Sequence, residues 1–342
     1  MFKTQQEFTN SMFGSYAYDP IIKRNQDHLL IKMNKLIDWS FVEEEVLGCY
    51  SEKGRNAIHP ERIFKMLIVQ NLYNLSEREV CVNVDCNIIY RYFVGLGITE
   101  EIPHWTDLGK FKERIGVETF EKLFYRVLEE AEKLGIEISN KRNADATDQK
   151  ANVDTSRCAK DKKDKDDHNW IDRNTTDPDA GFGHKNKNKS WYGYKSHTNQ
   201  DTENELVTSV ITTSGEDSDE SQLIPLIDKE RSFRGKDAIR KQGGDKGFVG
   251  HSQELADRNI LDYIIPRDNM KKDREKKKGN NHFLHLKKQR HRVERKFAEG
   301  KTSHGLGKAR HRGKWKVHLQ NLLIYTTMNL KRIINLLIPK IA

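Results

Sequence analysis

Three acidic residues stand in surroundings that single them out for chemistry: Asp145, Asp245 and Glu294. Asp145 opens the run Asp145-Ala146-Thr147-Asp148-Gln149-Lys150-Ala151-Asn152. On a strand it shares a face with Thr147 and Gln149, while Asp148 points the other way. A carboxylate in mid-strand is costly to bury without a partner, so the position is either a solvent-facing edge or a site. Asp245 lies in Gly243-Gly244-Asp245-Lys246-Gly247-Phe248, at the end of an expected strand. Flanking glycines let backbone or ligand approach closely, and strand ends are where α/β sheets present functional groups. An ordinary Asp in a glycine turn fits the same hexapeptide. Glu294 is the sole acid between Glu275 and Glu299, within a dense basic run. Arg290, Glu294 and Lys301 fall at i, i+4 and i+11, one face of a helix, which also describes a plain surface ion pair. Acidic oxygens converging from separate elements are what phosphodiester cleavage with two divalent cations requires, with basic residues around them to neutralise and position a nucleic-acid backbone.

Competing constellations are weaker. His282, His285 and His291 lack a Cys or a second close His pair to complete a zinc pattern. No GxxxxGK[ST], GxSxG or GxGxxG motif occurs. The lysines of 160–165 and 271–278 read as solvated, with nonspecific phosphate contact as a second role. Four Cys make no dense disulfide framework, and the gap between Cys81 and Cys86 is no zinc-knuckle spacing. MFKTQQEFTN lacks the apolar core of a signal peptide. Leu319–Ile338 is interrupted by Asn321, Asn329, Lys331, Arg332 and Asn335, so it fails as a membrane span. A soluble protein of a reducing compartment is expected.

The elements that must carry these residues divide the chain. The first third reads as helical: Pro60 leads into Ile63, Phe64, Met66, Leu67, Ile68 and Leu72, and Ser76 with Glu79 forms a capping-box start for the next helix. Val117, Phe120, Phe124, Val127, Leu128, Ala131 and Leu134 keep a helical period that Gly135 stops. Short helices and tight turns suit a helix-turn-helix module and a plain helical bundle alike. After residue 140 the pattern becomes mixed α/β. Strands are expected at 144–153, 190–199, 205–213, 238–245 and 263–265, with a helix from 221 and a polar, solvated loop across 154–190. Gly300 is expected to end the helix that carries Glu294, freeing Lys301 to reach a phosphate.

Charge follows the same division. Residues 1–140 carry a net −5, whereas 271–342 carry +17 within a chain total of +9. Charge concentrated in this way points to a polyanion-binding C-terminal half.

With these residues in view, the sequence resembles the bacterial insertion-sequence transposases of the DDE class, over about residues 15–338. HPERIFKMLIVQNLYNLSEREV, RYFVGLG and DLGKFKERI are similar to their helical N-terminal domain. DATDQKAN resembles the first-aspartate strand; DPDAGFG, WYGYKSH and ITTSGEDSDES resemble the next two strands and the turn into a helix. GGDKGF resembles the second-aspartate motif, and RHRVERKF, HGLGKARHRG and NLKR the final helical region. The resemblance implies an α/β fold: an all-α, helix-turn-helix-like DNA-binding domain over 1–138, then an RNase H-like mixed-sheet catalytic domain with basic C-terminal helices over 139–342. It implies Asp145, Asp245 and Glu294 as catalytic ligands of two Mg²⁺, with Mn²⁺ as a substitute. Arg290 and Lys301 fit the family's signature around the glutamate and Lys287 stands at its tyrosine position, all three as DNA contacts. The implied activity is to bind the terminal inverted repeats of an insertion sequence, cleave its ends and join the 3′-OH ends to target DNA. A homodimer on double-stranded DNA ends and a place in the bacterial cytoplasm, at the nucleoid, come with it. A catalytically impaired DNA-binding remnant or repressor is the alternative.

Overall fold

The computed structural model describes residues 12–51, 57–156, 158, 174–186 and 189–338. The lysines of 160–165 and much of the expected 154–190 loop lie outside them. The chain forms two compact units, one of Met1–Ile136 with Thr326–Ala342, the other of Glu137–Tyr325.

The first unit is helical: α1 Met12–Arg24, α2 Leu29–Leu36, α3 Ser40–Val46, α4 Pro60–Leu72, α5 Glu77–Cys86, α6 Ile88–Val94 and α7 Trp105–Lys133. Proline at the first position of α4 costs no hydrogen bond, and every residue of that helix except Glu61 is buried. The capping box of α5 forms as its sequence requires. The Glu79 amide donates to Ser76 Oγ at 3.2 Å and the Ser76 amide to Glu79 Oε2 at 2.7 Å. Gly116, at φ 68°, interrupts α7 with a non-helical residue, so two helical segments meet there.

The second unit is built on a six-stranded mixed sheet: β1 Lys141–Lys150, β2 Gly181–Asn186, β3 Lys189–Asp201, β4 Val207–Ser214, β5 Lys241–Gly244 and β6 Leu261–Ile264. β1 is central, antiparallel to β3 and parallel to β5, which is itself parallel to β6. β2 pairs with the start of β3 and β4 with its remainder. Ala144, with Ala146 beside it, packs on α8 Leu223–Arg234 and α9 Ser252–Asp257 through Leu223, Ile227 and Leu255, and beside Ile264 of β6. The alternate residues of β1 meet other helices. Asn143 donates to the Leu286 carbonyl of α11 Asn281–Ser303, and Gln149 accepts from Asn321 of α12 Lys314–Leu337. This is an RNase H-like α/β sheet following an all-helical unit, as the sequence implied. No helix among the described residues is long and apolar enough to cross a membrane.

Two local expectations change. β2 lies inside the segment read as a solvated loop, because its glycines conceal it: a Cβ on Gly183 would stand 2.2 Å from the Trp191 ring packed over the strand. α11 also runs through Gly300 to Ser303, so Lys301 sits inside the helix. The left-handed residue that follows the helix is Gly305, at φ 75°.

Candidate active site

Sheet register brings the first two acids side by side. Ala144 pairs with Gly244 across the parallel β1–β5 ladder, so Asp145 and Asp245 each follow a paired residue on neighbouring strands. The two carboxylates repeat one local device. Asp145 Oδ1 accepts from the Ala146 amide at 2.8 Å, and Asp245 Oδ1 accepts from the Lys246 amide at 2.7 Å. Asp145 is therefore on a central strand, not a solvent-facing edge. Above this pair, Asn143 ties β1 to α11 and occupies the space over Gly243, where an added Cβ would lie 2.1 Å from Asn143 Oδ1. A side chain at 243 would therefore push the Asn143 amide out of place. At 244 the nearest neighbour to such a carbon is 3.4 Å away, so alanine fits there.

α11 supplies the third acid. Arg290 Nη2 lies 2.8 Å from Glu294 Oε1, one helical turn on, and Nη1 lies 3.7 Å from Asp145 Oδ2 across to the sheet. The Asp145 side chain is 17% exposed and that of Glu294 54%. Burial pushes the Asp145 carboxyl up to about 6, against the pull of the Ala146 amide and Arg290, with the charges of Asp245 and Glu294 adding to the rise. Asp145 thus feels the charges of both other acids. Tyr325 of α12 is fully buried, and its hydroxyl lies 3.2 Å from Ser196 Oγ. Burial raises that phenol's pKa and the nearby Asp145 adds to the rise, so it stays neutral.

The donor set, three carboxylates, is the hard-oxygen chemistry that Mg²⁺ and Mn²⁺ prefer. Among the described residues no three His, Cys, Asp or Glu side chains stand close enough, as arranged, to hold an ion. Arg290 is the group between Asp145 and Glu294.

Lys301 Nζ lies 2.9 Å from Asp148 Oδ1. Although burial opposes ionisation of Asp148, this contact outweighs it and holds the carboxyl below its ordinary range. Lys287 is exposed on α11. The three histidines of the zinc alternative have separate neighbours: His282 beside Lys241, His285 beside Glu203, and His291 against the Lys288 carbonyl. Sequence reasoning missed Asn143, and it missed the role of Asp148 as the partner of Lys301. It also missed Arg142, fully buried between Glu230 and Asp201 at the root of β1. Only an unusual density of polar residues in a buried strand hints at them.

A mixed sheet with a central acid-bearing strand, preceded by a helical unit, defines the class as an RNase H-like α/β protein. Residues 145–330 match the family model described as Transposase DDE domain, and residues 19–114 match the one described as Transposase domain (DUF772). No solved structure matches the chain. The chain belongs to the DDE transposases of insertion sequences.

Proposed function

We propose that this transposase binds the terminal inverted repeats of its element as a homodimer, cleaves there, and joins the freed ends to target DNA in the bacterial cytoplasm. Asp145, Asp245 and Glu294 would hold two divalent cations, Mg²⁺ or Mn²⁺. The observation that carries this reading is geometric: the β1–β5 ladder sets Asp145 and Asp245 side by side, and Arg290 of α11 contacts both Asp145 and Glu294. The helical N-terminal domain, 1–138, selects the ends, and the catalytic domain, 139–342, contributes the basic surface that grips the backbone.

Bound divalent cations supply Lewis-acid activation of the scissile phosphate and of the attacking and departing oxygens. Asp145 and Asp245 are fixed for this role, because each has one oxygen anchored to a backbone amide. Glu294, more exposed, closes the site from α11. Lys287, Arg290 and Lys301 line the same helix and hold phosphates in position. In the first step a water oxygen bonds to phosphorus and the P–O3′ bond breaks, leaving a 3′-OH and a 5′-phosphate. In the second, that 3′-OH attacks a target phosphodiester and displaces the target's own 3′ oxygen, so the number of ester bonds is conserved.

The test is a supercoiled plasmid carrying the element's two ends, incubated with the full chain, Mg²⁺ and an unrelated target plasmid. Nicks at the ends and end-to-target joined products are expected. A chain that binds the ends yet neither nicks nor joins in Mg²⁺ or Mn²⁺ is the repressor of the alternative reading.

A further inference from the structure

Arg290 makes two contacts of different origin. Its ion pair with Glu294 is the ordinary product of i,i+4 spacing on a helix. Its approach to Asp145 crosses from α11 to the central strand, 145 positions earlier in sequence, so no local geometry dictates it. With Asp145 Oδ1 taken by the Ala146 amide, it is Oδ2 that faces the guanidinium. One positive group thus lies between two carboxylates that converge, in a region where a cation is needed to offset their repulsion. Arg290 is itself only 28% exposed, and its planar fork suits two carboxylates at once.

We propose that Arg290 is the built-in counter-cation of the free protein: it spans Asp145 and Glu294, is displaced when a divalent cation binds, and then turns its guanidinium to a DNA phosphate. The inference rests on the reading of Asp145, Asp245 and Glu294 as a metal site. It gives Arg290 a positioning role beyond simple phosphate contact, because one side chain serves two alternative anions. Metal binding and DNA binding then favour the same state, with Arg290 withdrawn from the acids, and each must strengthen the other by the same factor. The free protein accordingly takes up metal poorly until DNA accepts the arginine. Such a device ties assembly of the cutting site to the presence of a substrate.

The experiment is Mn²⁺ binding to the full-length chain at pH 7.5, read as free Mn²⁺ by electron paramagnetic resonance. It is run with and without a mixed-sequence 30-base-pair duplex, with the duplex's own Mn²⁺ uptake subtracted. Wild type should bind Mn²⁺ more tightly with duplex present, by about fivefold or more. Arg290→Gln should bind Mn²⁺ about tenfold more tightly than wild type without DNA, and gain little when duplex is added. Arg290→Lys, which keeps a charge on the same turn, should return the DNA-free affinity toward wild type. Circular dichroism confirms that each variant is folded. Tighter binding by Arg290→Gln with an undiminished DNA effect would make Arg290 a bystander charge and overturn the proposal. Unchanged or weaker binding by that variant overturns it as well. If no chain takes up Mn²⁺ under either condition, the metal-site reading fails and the proposal falls with it.

Discussion

Asp145 is held in a place where its charge is disfavoured, and that has a measurable consequence for stability without metal. Its folded-state pKa of about 6 lies above the ordinary aspartate value of 3.8, so between those values the folded chain holds a proton that the unfolded chain releases. Stability from this group therefore falls as pH rises through that window and stays lower above it. In the presence of a chelator, Asp145→Asn should match wild type at pH 4 and be more stable at pH 7.5 by about 1–3 kcal/mol, with a higher melting temperature. Equal melting temperatures at pH 7.5 would mean that Arg290 fully compensates the charge. Asp148 predicts differently. Its carboxyl is stabilised by Lys301, so Asp148→Asn should keep metal-dependent cleavage, whereas Lys301→Ala should weaken end binding and reduce the salt slope by about 1. Strand alternation was enough to separate Asp145 from Asp148 in the sequence. The Asp148–Lys301 and Asp145–Arg290 contacts were illegible there, because each joins residues whose proximity only the completed sheet and its covering helix create.

At the scale of elements, β1 is positioned by buried polar contacts at its base. Arg142 is fully buried with Glu230 of α8 and Asp201 of β3. Arg142→Ala removes the guanidinium that both buried carboxylates share, leaving Glu230 the longer 3.9 Å ion pair to Arg234, and should cost about 3–5 kcal/mol in urea unfolding. Arg240→Ala, which breaks an exposed pair with Asp237, should stay within about 0.5 kcal/mol. Gly243→Ala should displace Asn143 from α11 and lower activity, while Gly244→Ala should be tolerated; a reversed order would refute this packing. Much at this scale was legible. The α5 capping box, the period of α7 and the strands β3 to β6 are local signals that tertiary structure does not override. β2 was hidden from residue patterning because it is rich in glycine for packing under Trp191, and only the family resemblance of DPDAGFG pointed to a strand there. Gly300 misled because its helix continues through a buried position where a small residue is accommodated without a left-handed turn.

For the whole molecule, the asymmetric charge visible in the sequence acquires a surface. Lys271, Lys272, Lys276 and Lys278 are exposed on and beside the helix α10 Lys271–Lys277, which precedes α11. Changing all four to Gln in the full chain should reduce the slope of log affinity against log salt by up to about 3–4, and lower affinity for unrelated and end-bearing DNA alike. An unchanged slope would place the phosphate contacts elsewhere. What the sequence concealed is the course of its last helix. α12 reads as a single helix-forming stretch, apolar with scattered Asn and basic residues, yet residues up to Tyr325 group with the sheet and those from Thr326 with the helical unit. Nothing in its periodicity marks that change of company, since the residues on either side of the boundary, from Leu319 to Leu330, are buried alike.

The most direct test of the three-acid site is cleavage of plasmid-borne element ends in Mg²⁺ by wild type and by Asp145→Asn, Asp245→Asn and Glu294→Gln, each at saturating protein. All three variants should bind the ends nearly as wild type does and lose cleavage by about 10³-fold or more, on the scale of removing a principal catalytic group. Any one of them cutting at the wild-type rate would contradict the account.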